Sequence, residues 1–589
     1  MLRIPKVHIS KVRIENFRNF RELEIKTDRN MVIVGENKVG KSNFLFSLRL
    51  VLDPSLSDLD RFLSLDDFWD GLGGDKLGST IKISLEISGI DQSPTTLAAL
   101  ADGLIDITTH TAKITYVYRP KYGVTISSLN DYEYNIYLGN TEDIPINRSL
   151  RRCIQMELFH ALRDCERELS NSKRTPLRTF LEHVGDNLTE VQKASILAGF
   201  EQTQIALSGV PDLGQIEQNI NTMLQTMVGT RHVSPVQLKL APQDINKLIK
   251  SLQLLVDAGT RAINQSSTGS SNILFLTLKL LELQHSMTTG EQEFTFLAIE
   301  EPEAHLHPHV QRLLFEYFYN SDANLNTLLT THSPHIASSA PINSLIVLKE
   351  SMDGVMPSTK GHSLINSALS PEDIEDMSRY LTITRGEVLF ARGVILVEGD
   401  AEEFLFPELA KKLGYELDKK GISICSVAGT NFDPYVKFLL SIGTPFVVIT
   451  DRDPLGLEVP LGVTRIDKLL GIILQNHTQN RAEATILAQG RVNGIFTNIQ
   501  TLETELVNSQ DMKNTVCDIL LEEHGSRPQV GPIITSWRQN TSPVDTNAML
   551  RYISEIGKGR FAKRLSNRLP EGQCPEYIAA AFEYIYERT

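Results

Sequence analysis

The sequence predicts an α/β protein built from two parallel-sheet units in tandem, with a helical segment inserted into the first. Three observations carry that prediction. An apolar run, Met31 to Val34, leads through a glycine-rich loop into a helix-forming stretch, Lys41 to Leu52. Further on, strand-like runs at Val394 to Val397, Ile422 to Val427 and Phe446 to Ile449 alternate with helical stretches Ala401 to Leu413 and Phe432 to Leu440. That is the pattern of parallel strands joined by crossover helices. From about Ser149 to Arg231, apolar residues fall instead at helical steps, first Ile154, Leu158 and Leu162, later Leu177, Phe180, Leu181 and Val184.

The remaining elements follow in chain order. Val7 to Ile14 and Leu23 to Lys26 read as strands, as do the alternating segments around Ile81 to Ile87 and Ile114 to Tyr118. After the helical segment, Val236 to Leu240 reads as a returning strand. The Ser/Gly-rich loop Ser266 to Ser271 then opens an apolar helix, Asn272 to about Gln284. Phe294 to Ile299 is a buried strand, and Leu325 to Thr330 and Ser344 to Leu348 are two more. The polar stretch Lys349 to Glu372 reads as a linker.

The chain has 589 residues, 41% hydrophobic and 22% charged, enough apolar material for several cores and too much for global disorder. No run of 18 apolar residues and no apolar leader is present, so a cytoplasmic protein with no membrane contact is expected. Five scattered cysteines without a C-x-x-C pair give neither a disulfide framework nor a zinc ribbon. His305-x-His307 lacks a third ligand, which argues against zinc there as well. A net charge of −14 excludes indiscriminate adhesion to nucleic acid, so any such contact is local or bridged by cations.

Gly35-Glu36-Asn37-Lys38-Val39-Gly40-Lys41-Ser42 fits G-x-x-x-x-G-K-[ST] between strand and helix. Its glycines let backbone N–H groups approach phosphates at the positive helix end, Lys41 reaches the β- and γ-phosphates, and the Ser42 hydroxyl can ligate Mg²⁺. Gly35, Asn37, Gly40, Lys41, Ser42 and Asn43 are the expected nucleotide contacts. Glu300 and Glu301 directly follow the buried strand Phe294 to Ile299. Glu300 is placed to hold Mg²⁺ and Glu301 to activate the attacking water, because phosphoryl transfer needs chiefly positioning and charge neutralisation.

In the second unit Glu398 ends one strand, Glu402 sits in the first turn of the next helix, and Asp451-Arg452-Asp453 ends another strand. Parallel strands bring such ends to one sheet edge, where open α/β folds collect ligands. Carboxylates gathered there repel one another and call for divalent cations, with oxygen ligands favouring Mg²⁺ or Mn²⁺ over Zn²⁺.

Ile14-Glu15-Asn16-Phe17-Arg18-Asn19-Phe20, the phosphate loop, Glu300-Glu301-Pro302-Glu303-Ala304-His305-Leu306-His307-Pro308 and Thr330-Thr331-His332-Ser333-Pro334 resemble the ABC-type ATPase domains of the SMC/RecF group. Taken with the Glu398 and Asp451-x-Asp453 strand ends, which resemble a Toprim domain, the order is similar to that of the OLD (overcoming lysogenization defect) family. The resemblance implies a switch histidine at His332. It also implies a signature loop at Ser267 to Asn272, in which Ser270 caps a neighbouring subunit's nucleotide, although Ser267-Thr268-Gly269-Ser270-Ser271-Asn272 departs from L-S-G-G-Q. A Q-loop candidate lies at Asp66-Asp67-Phe68.

The same resemblance implies metal ligation by Glu398, Glu402, Asp451 and Asp453. Glu503 is a further acid, and Lys558 stabilises charge at the scissile phosphate. It divides the chain into ATPase parts 1–148 and 232–365, a helical dimerisation module 149–231, and a Toprim nuclease domain 366–589. The implied activity is ATP-regulated, two-metal hydrolysis of DNA by a homodimer or larger homo-oligomer. Family members act in bacterial and phage conflict, including Gabija-type antiviral systems with a helicase-like partner.

Arg551, Lys558, Arg560, Lys563, Arg564 and Arg568 face a single acid in the same stretch, Glu555, and offer a local phosphate track. Two other readings remain open: a RecF-like ATP-switched DNA clamp with an inactive Toprim half, and a topoisomerase-like enzyme forming a tyrosyl-phosphate link.

Overall fold

In a computed structural model of the chain, the described residues are 7–73, 76–146, 150, 153–159, 177–228, 236–238, 245–250, 252, 254–263, 267–289, 292, 294–320, 325–354, 356–365, 367, 369–382, 385–453, 460–475 and 481–589. The chain forms two compact units. One consists of residues 1–160, 294–303 and 307–589, the other of 161–293 and 304–306.

In the larger unit, an antiparallel sheet runs in the order Phe20–Lys26, His8–Phe17, Ile81–Ser88, Thr111–Pro120 and Leu104–Asp106, with Tyr132–Leu138 also paired to Thr111–Pro120. Period-two alternation buries Val12 and Ile14, with Ile83 and Leu85 opposite them, against the helix Lys41–Leu52.

The second sheet runs Met356–Ser363, Leu345–Asp353, Met31–Gly35, Leu325–Thr331, Phe294–Glu300 and Ile154–Phe159, and all neighbours are parallel except the first pair. The register sets Thr331 beside Val34 and Glu300 beside Thr330, so the phosphate loop and the paired acids leave the same sheet edge. Met31–Gly35 and Leu325–Thr331 are buried at every position, as covered parallel strands require.

Three expectations fail here. Ile154 and Leu158, read as helical, lie in an edge strand whose partner, Phe294–Glu300, is 140 residues away in sequence (Ile154 opposite Phe294). A short apolar run suits either element, and the distant partner decides; Leu162 lies outside the described residues. The polar stretch from Lys349 is not a linker, because Leu345–Asp353 and Met356–Ser363 form an antiparallel hairpin at the sheet edge. Its polarity reflects solvent on the outer side of an edge strand. Val236 to Leu240 is not a strand over its described residues 236–238, where Asn221 instead exchanges hydrogen bonds with the Val236 backbone; residues 239 and 240 lie outside the description.

The third sheet, Ile422–Ser426, Gly393–Val397, Phe446–Thr450 and Ile495–Thr497, is wholly parallel. One apolar cluster continues through both parallel sheets, taking in Val32 and Val34 from the first and Val394, Leu396 and Val448 from the third. The two units of tandem α/β structure therefore share a core. Of the cysteines, Cys153, Cys425, Cys517 and Cys574 are free thiols, and Cys165 lies outside the described residues.

The smaller unit is helical: Leu177–Asp186, Glu190–Ser208, Pro211–Val228, Ile245–Lys250 and Thr268–Thr288, with a short hairpin of Leu255–Val256 and Arg261–Ala262. Glu190–Ser208 buries none of its residues. On the next helix Ile216, Ile220, Met223 and Met227 recur at 4-3-4 spacing with 48%, 37%, 67% and 73% exposure.

Candidate nucleotide and metal sites

The phosphate loop turns sharply between Gly35 and the helix starting at Lys41. Gly40 has φ of 99°, a backbone conformation that demands glycine, and a Cβ there would meet the Asn19 side-chain amide at 2.1 Å and displace it. The Lys41 ammonium folds back onto the loop, donating to the carbonyls of Gly35 (2.8 Å) and Glu36 (2.9 Å). Burial pulls its pKa down to about 8 against the opposing charges of Glu301 and Glu303. Lys41 is thus a buried cation held by loop carbonyls where phosphate oxygens would replace them.

Lys41 also lies 3.4 Å from Nδ1 of His332, whose Nε2 is 3.3 Å from Glu301. An ammonium can only donate, so Nδ1 accepts and the imidazole proton sits on Nε2, facing the Glu301 carboxylate. Burial and then Lys41 lower the His332 pKa, which keeps the ring neutral. Glu301 stands at φ 45°, outside the usual region for an L residue, and its N–H is fixed by the Thr330 carbonyl at 3.0 Å. Glu300 ends the strand half-buried, while Asn37 and Ser42 are exposed at the loop mouth. Asn43 accepts from Arg18 (2.8 Å) and donates to Asn19 (2.7 Å), anchoring the first turn to the N-terminal motif.

Beside the loop a cavity of about 710 Å³, lined by Arg18, Asn19, Lys38, Asn43, Asp67 and Trp69 among others, has room for the nucleoside. The Asp66-Asp67-Phe68 segment borders it, with Asp67 paired to Arg18 at 2.9 Å. Glu303 holds the Thr331-His332 segment. One of its oxygens accepts from the His332 N–H (2.7 Å) and the Thr331 hydroxyl (2.8 Å). Ser270 belongs to the smaller unit, where Ser267 caps its helix by accepting from the Ser270 N–H.

At the third sheet, Glu398 and Asp451 leave adjacent strands on the same edge. Glu398 Oε1 accepts from the Asp451 N–H (2.8 Å) and the Thr450 hydroxyl (2.5 Å). Burial, and next the charge of Glu398, push the Asp451 carboxyl up to about 8, while burial followed by the charges of Glu503 and Glu398 raises Glu402 to about 7. Glu503 is buried, pairs with Lys558 at 2.9 Å through Oε1, and leaves Oε2 without a hydrogen-bond partner. Burial depresses Lys558, but Glu503 outweighs it and the net shift is upward, so the lysine stays charged. Asp453 stands at φ 47°.

These acids form a half-buried cluster, with Glu503 fully buried, in which five carboxylates meet two cations, Arg465 and Lys558. Among the described residues no group of three or more His, Cys, Asp or Glu side chains is arranged to hold a metal ion. The raised acids and the orphaned Glu503 oxygen nevertheless suit a hard divalent cation, whose charge would relieve both.

Arg465, Asn498 and Tyr577 escaped the sequence reading. Asn498 donates to Asp451 Oδ1 and accepts from the Arg452 N–H at 3.1 Å. Tyr577 bonds to Asn498, and burial together with the nearby Asp451 keeps its hydroxyl protonated. The basic track is smaller than its sequence suggests, because Arg564 pairs with Glu523 and Arg568 with Glu522 from the helix Gln510–His524. Arg560 and Lys563 are exposed, with Arg560 within electrostatic reach of Glu523.

A phosphate loop and an acid-tipped strand on one parallel sheet, followed by a four-stranded parallel sheet with a carboxylate edge, define a nucleotide-binding ATPase head joined to a Toprim domain. A family profile described as an AAA ATPase domain matches residues 8–131 and 106–337, and one described as the overcoming lysogenization defect protein-like TOPRIM domain matches 389–453. The C-terminal region of the Burkholderia pseudomallei OLD protein is 38% identical over 34% of this chain and 98% of that one, with a TM-score of 0.31. The chain belongs to the OLD family. An uncharacterised Escherichia coli protein, YbjD, is 25% identical over 76% of this chain and 80% of its own length. Endonuclease GajA of Bacillus cereus is 24% identical over 78% of this chain and 79% of its own. No helix among the described residues is long and apolar enough to cross a membrane.

Proposed function

We propose that the protein is an ATP-dependent, divalent-metal-dependent DNA endonuclease that works as a homodimer or larger homo-oligomer. The carrying observation is the acid cluster at the Toprim sheet edge, where Glu398 and Asp451 leave adjacent strands side by side and burial, with the neighbouring acids behind it, holds Asp451 and Glu402 protonated to unusually high pH. The relative named as an endonuclease supports the same reading.

In this reading Gly35, Asn37, Gly40, Lys41, Ser42 and Asn43 cradle ATP, Glu300 and Ser42 hold its Mg²⁺, and Glu301 orients water under the control of His332. Ser270 caps the nucleotide of a second copy. Glu398, Glu402, Asp451, Asp453 and Glu503 hold Mg²⁺ or Mn²⁺. A pair of such ions would supply an activated water and stabilise the leaving 3′-oxygen. Lys558, held in place by Glu503, faces the scissile phosphate, and Arg560 and Lys563 extend the contact to backbone phosphates.

Dimerisation rests on the exposed Ile216, Ile220, Met223 and Met227 stripe, an apolar seam that a second copy would cover. The domain limits 1–148, 149–231, 232–365 and 366–589 belong to the same reading, as do a role in phage defence, a helicase-like partner and a cytoplasmic location.

Supercoiled plasmid incubated with the full chain, ATP and Mg²⁺ or Mn²⁺ tests the proposal. Nicked or linear product that disappears in Asp451→Ala and carries no bound protein supports hydrolysis. A covalent adduct would support the tyrosyl mechanism, and intact plasmid under every condition would support the clamp.

A further inference from the structure

The helix Leu461–Leu474 carries an arginine that no motif of the sequence singles out. Its side chain is 12% exposed and reaches across the mouth of the third sheet. Nη1 of Arg465 donates to Glu398 Oε1 at 2.7 Å and to the Asp451 carbonyl at 3.4 Å, and it also contacts the Thr450 hydroxyl. Nη2 donates to Asp453 Oδ2 at 3.3 Å. One planar fork therefore joins the acid ending Gly393–Val397 to the second acid after Phe446–Thr450.

The way each carboxylate is divided matters. Glu398 Oε1 takes three donors, from Thr450, Asp451 and Arg465, and among the described residues none reaches Oε2. Asp453 gives Oδ2 to Arg465, and no side chain among the described residues donates to Oδ1. Each acid is thus pinned by one oxygen and presents the other. Asp453 gains further from this restraint, because its φ of 47° is a conformation the chain does not hold without support. A guanidinium is suited to the task because it cannot lose its proton and its donors diverge at a fixed angle.

We infer that Arg465 is a positioning residue for the proposed metal centre, fixing Glu398 and Asp453 so that each offers a single free oxygen to a divalent cation. The inference rests on the nuclease reading of this edge. It differs from the opposite role, a guanidinium that merely occupies the cation's place, in the sign of its effect on metal affinity. Outer-shell partners of metal ligands typically change affinity by about 10–100-fold.

Mn²⁺ titration of the full chain without nucleotide, followed by the electron paramagnetic resonance signal of the free aqua ion, tests the inference. Asp451→Ala defines the binding that belongs to this edge, and thermal melts check folding. The expected result is at least a tenfold weaker Asp451-dependent affinity in Arg465→Gln, with partial recovery in Arg465→Lys, which keeps the charge but loses the fork. Affinity in Arg465→Gln equal to or tighter than that of the unmodified chain overturns the proposal while leaving the nuclease reading intact. If Arg465→Gln does not fold, affinity in Arg465→Lys equal to the unmodified chain's overturns it in the same way. An unmodified chain with no Asp451-dependent Mn²⁺ binding overturns both.

Discussion

Two carboxyl-terminal strand edges in the larger unit bury ionisable groups in different proportions, a lysine among acids at one and chiefly acids at the other, and proton affinity records it. At the phosphate loop a buried lysine is pulled down to about 8, whereas at the Toprim edge two acids are pushed up to about 8 and about 7. Burial is the leading cause in all three, and each site is left wanting the counter-charge its own side chains do not fully provide. In the proposed reading Lys41 meets phosphate at the first edge, beside acids that hold its Mg²⁺, and the acids of the second meet divalent cations. A parallel sheet edge is therefore only a location; the ionisable groups delivered to it choose the ligand.

The strongest way to break this comparison is to exchange the losses. Lys41→Ala should lower ATP turnover by about 10²–10³-fold and leave nucleotide-free Mn²⁺ binding unchanged, while Asp451→Ala should abolish metal-dependent plasmid cleavage and leave ATP turnover intact. Loss of nucleotide-free Mn²⁺ binding in Lys41→Ala would mean that the two sites are not separable. Steady-state phosphate release, plasmid gels and calorimetry read the three quantities.

Acidity sharpens the contrast next. The carboxyls of Asp451 and Glu402 must release protons to bind metal, so apparent Mn²⁺ affinity should climb between pH 6 and 8, by about tenfold per unit for each proton displaced. The sign for stability is the reverse. Without metal the folded chain keeps the Asp451 proton up to about pH 8, whereas the unfolded chain loses it near 3.8, so the cluster's contribution falls as pH rises through that window. Saturating metal should remove this slope from melts recorded across the window, and an unchanged slope counts against the cluster.

Smaller effects come from single pairs. Lys558→Met strips the buried Glu503 of its ion-pair partner and should cost about 1–3 kcal/mol in denaturant unfolding, with Glu503→Gln in the same chain recovering part of it. Glu36 and Arg392 form a two-pronged contact at 2.9 and 3.0 Å between the phosphate loop and the residue preceding Gly393–Val397. Arg392 is 53% exposed, so Arg392→Gln should shift stability by less than about 1 kcal/mol.

Local signals were readable before any coordinates. Lys41–Leu52 begins and ends where glycine punctuation and apolar spacing put it, and the acids of both edges follow apolar runs that are strands. What escaped depends on distant partners. Ile154–Phe159 is a strand because Phe294–Glu300 lies alongside it. Ile495–Thr497 has three residues, too few for periodicity to register. Arg465 lies four residues into a helix, where an arginine reads as a solvated side chain; only the meeting of two strand ends beside that helix gives it carboxylates to hold. Arg564 and Arg568 erred in the other direction, since Glu522 and Glu523 approach from a helix some forty residues earlier.

Glu301 and Asp453, one acid at each edge, both occupy left-handed backbone. Glycine would relax either position by about 1 kcal/mol. Redesign aimed solely at thermal resistance would therefore install glycine at 301 and 453 and silently erase one carboxylate from each centre. A hardier chain obtained that way should be assayed for both chemistries before its improvement is believed.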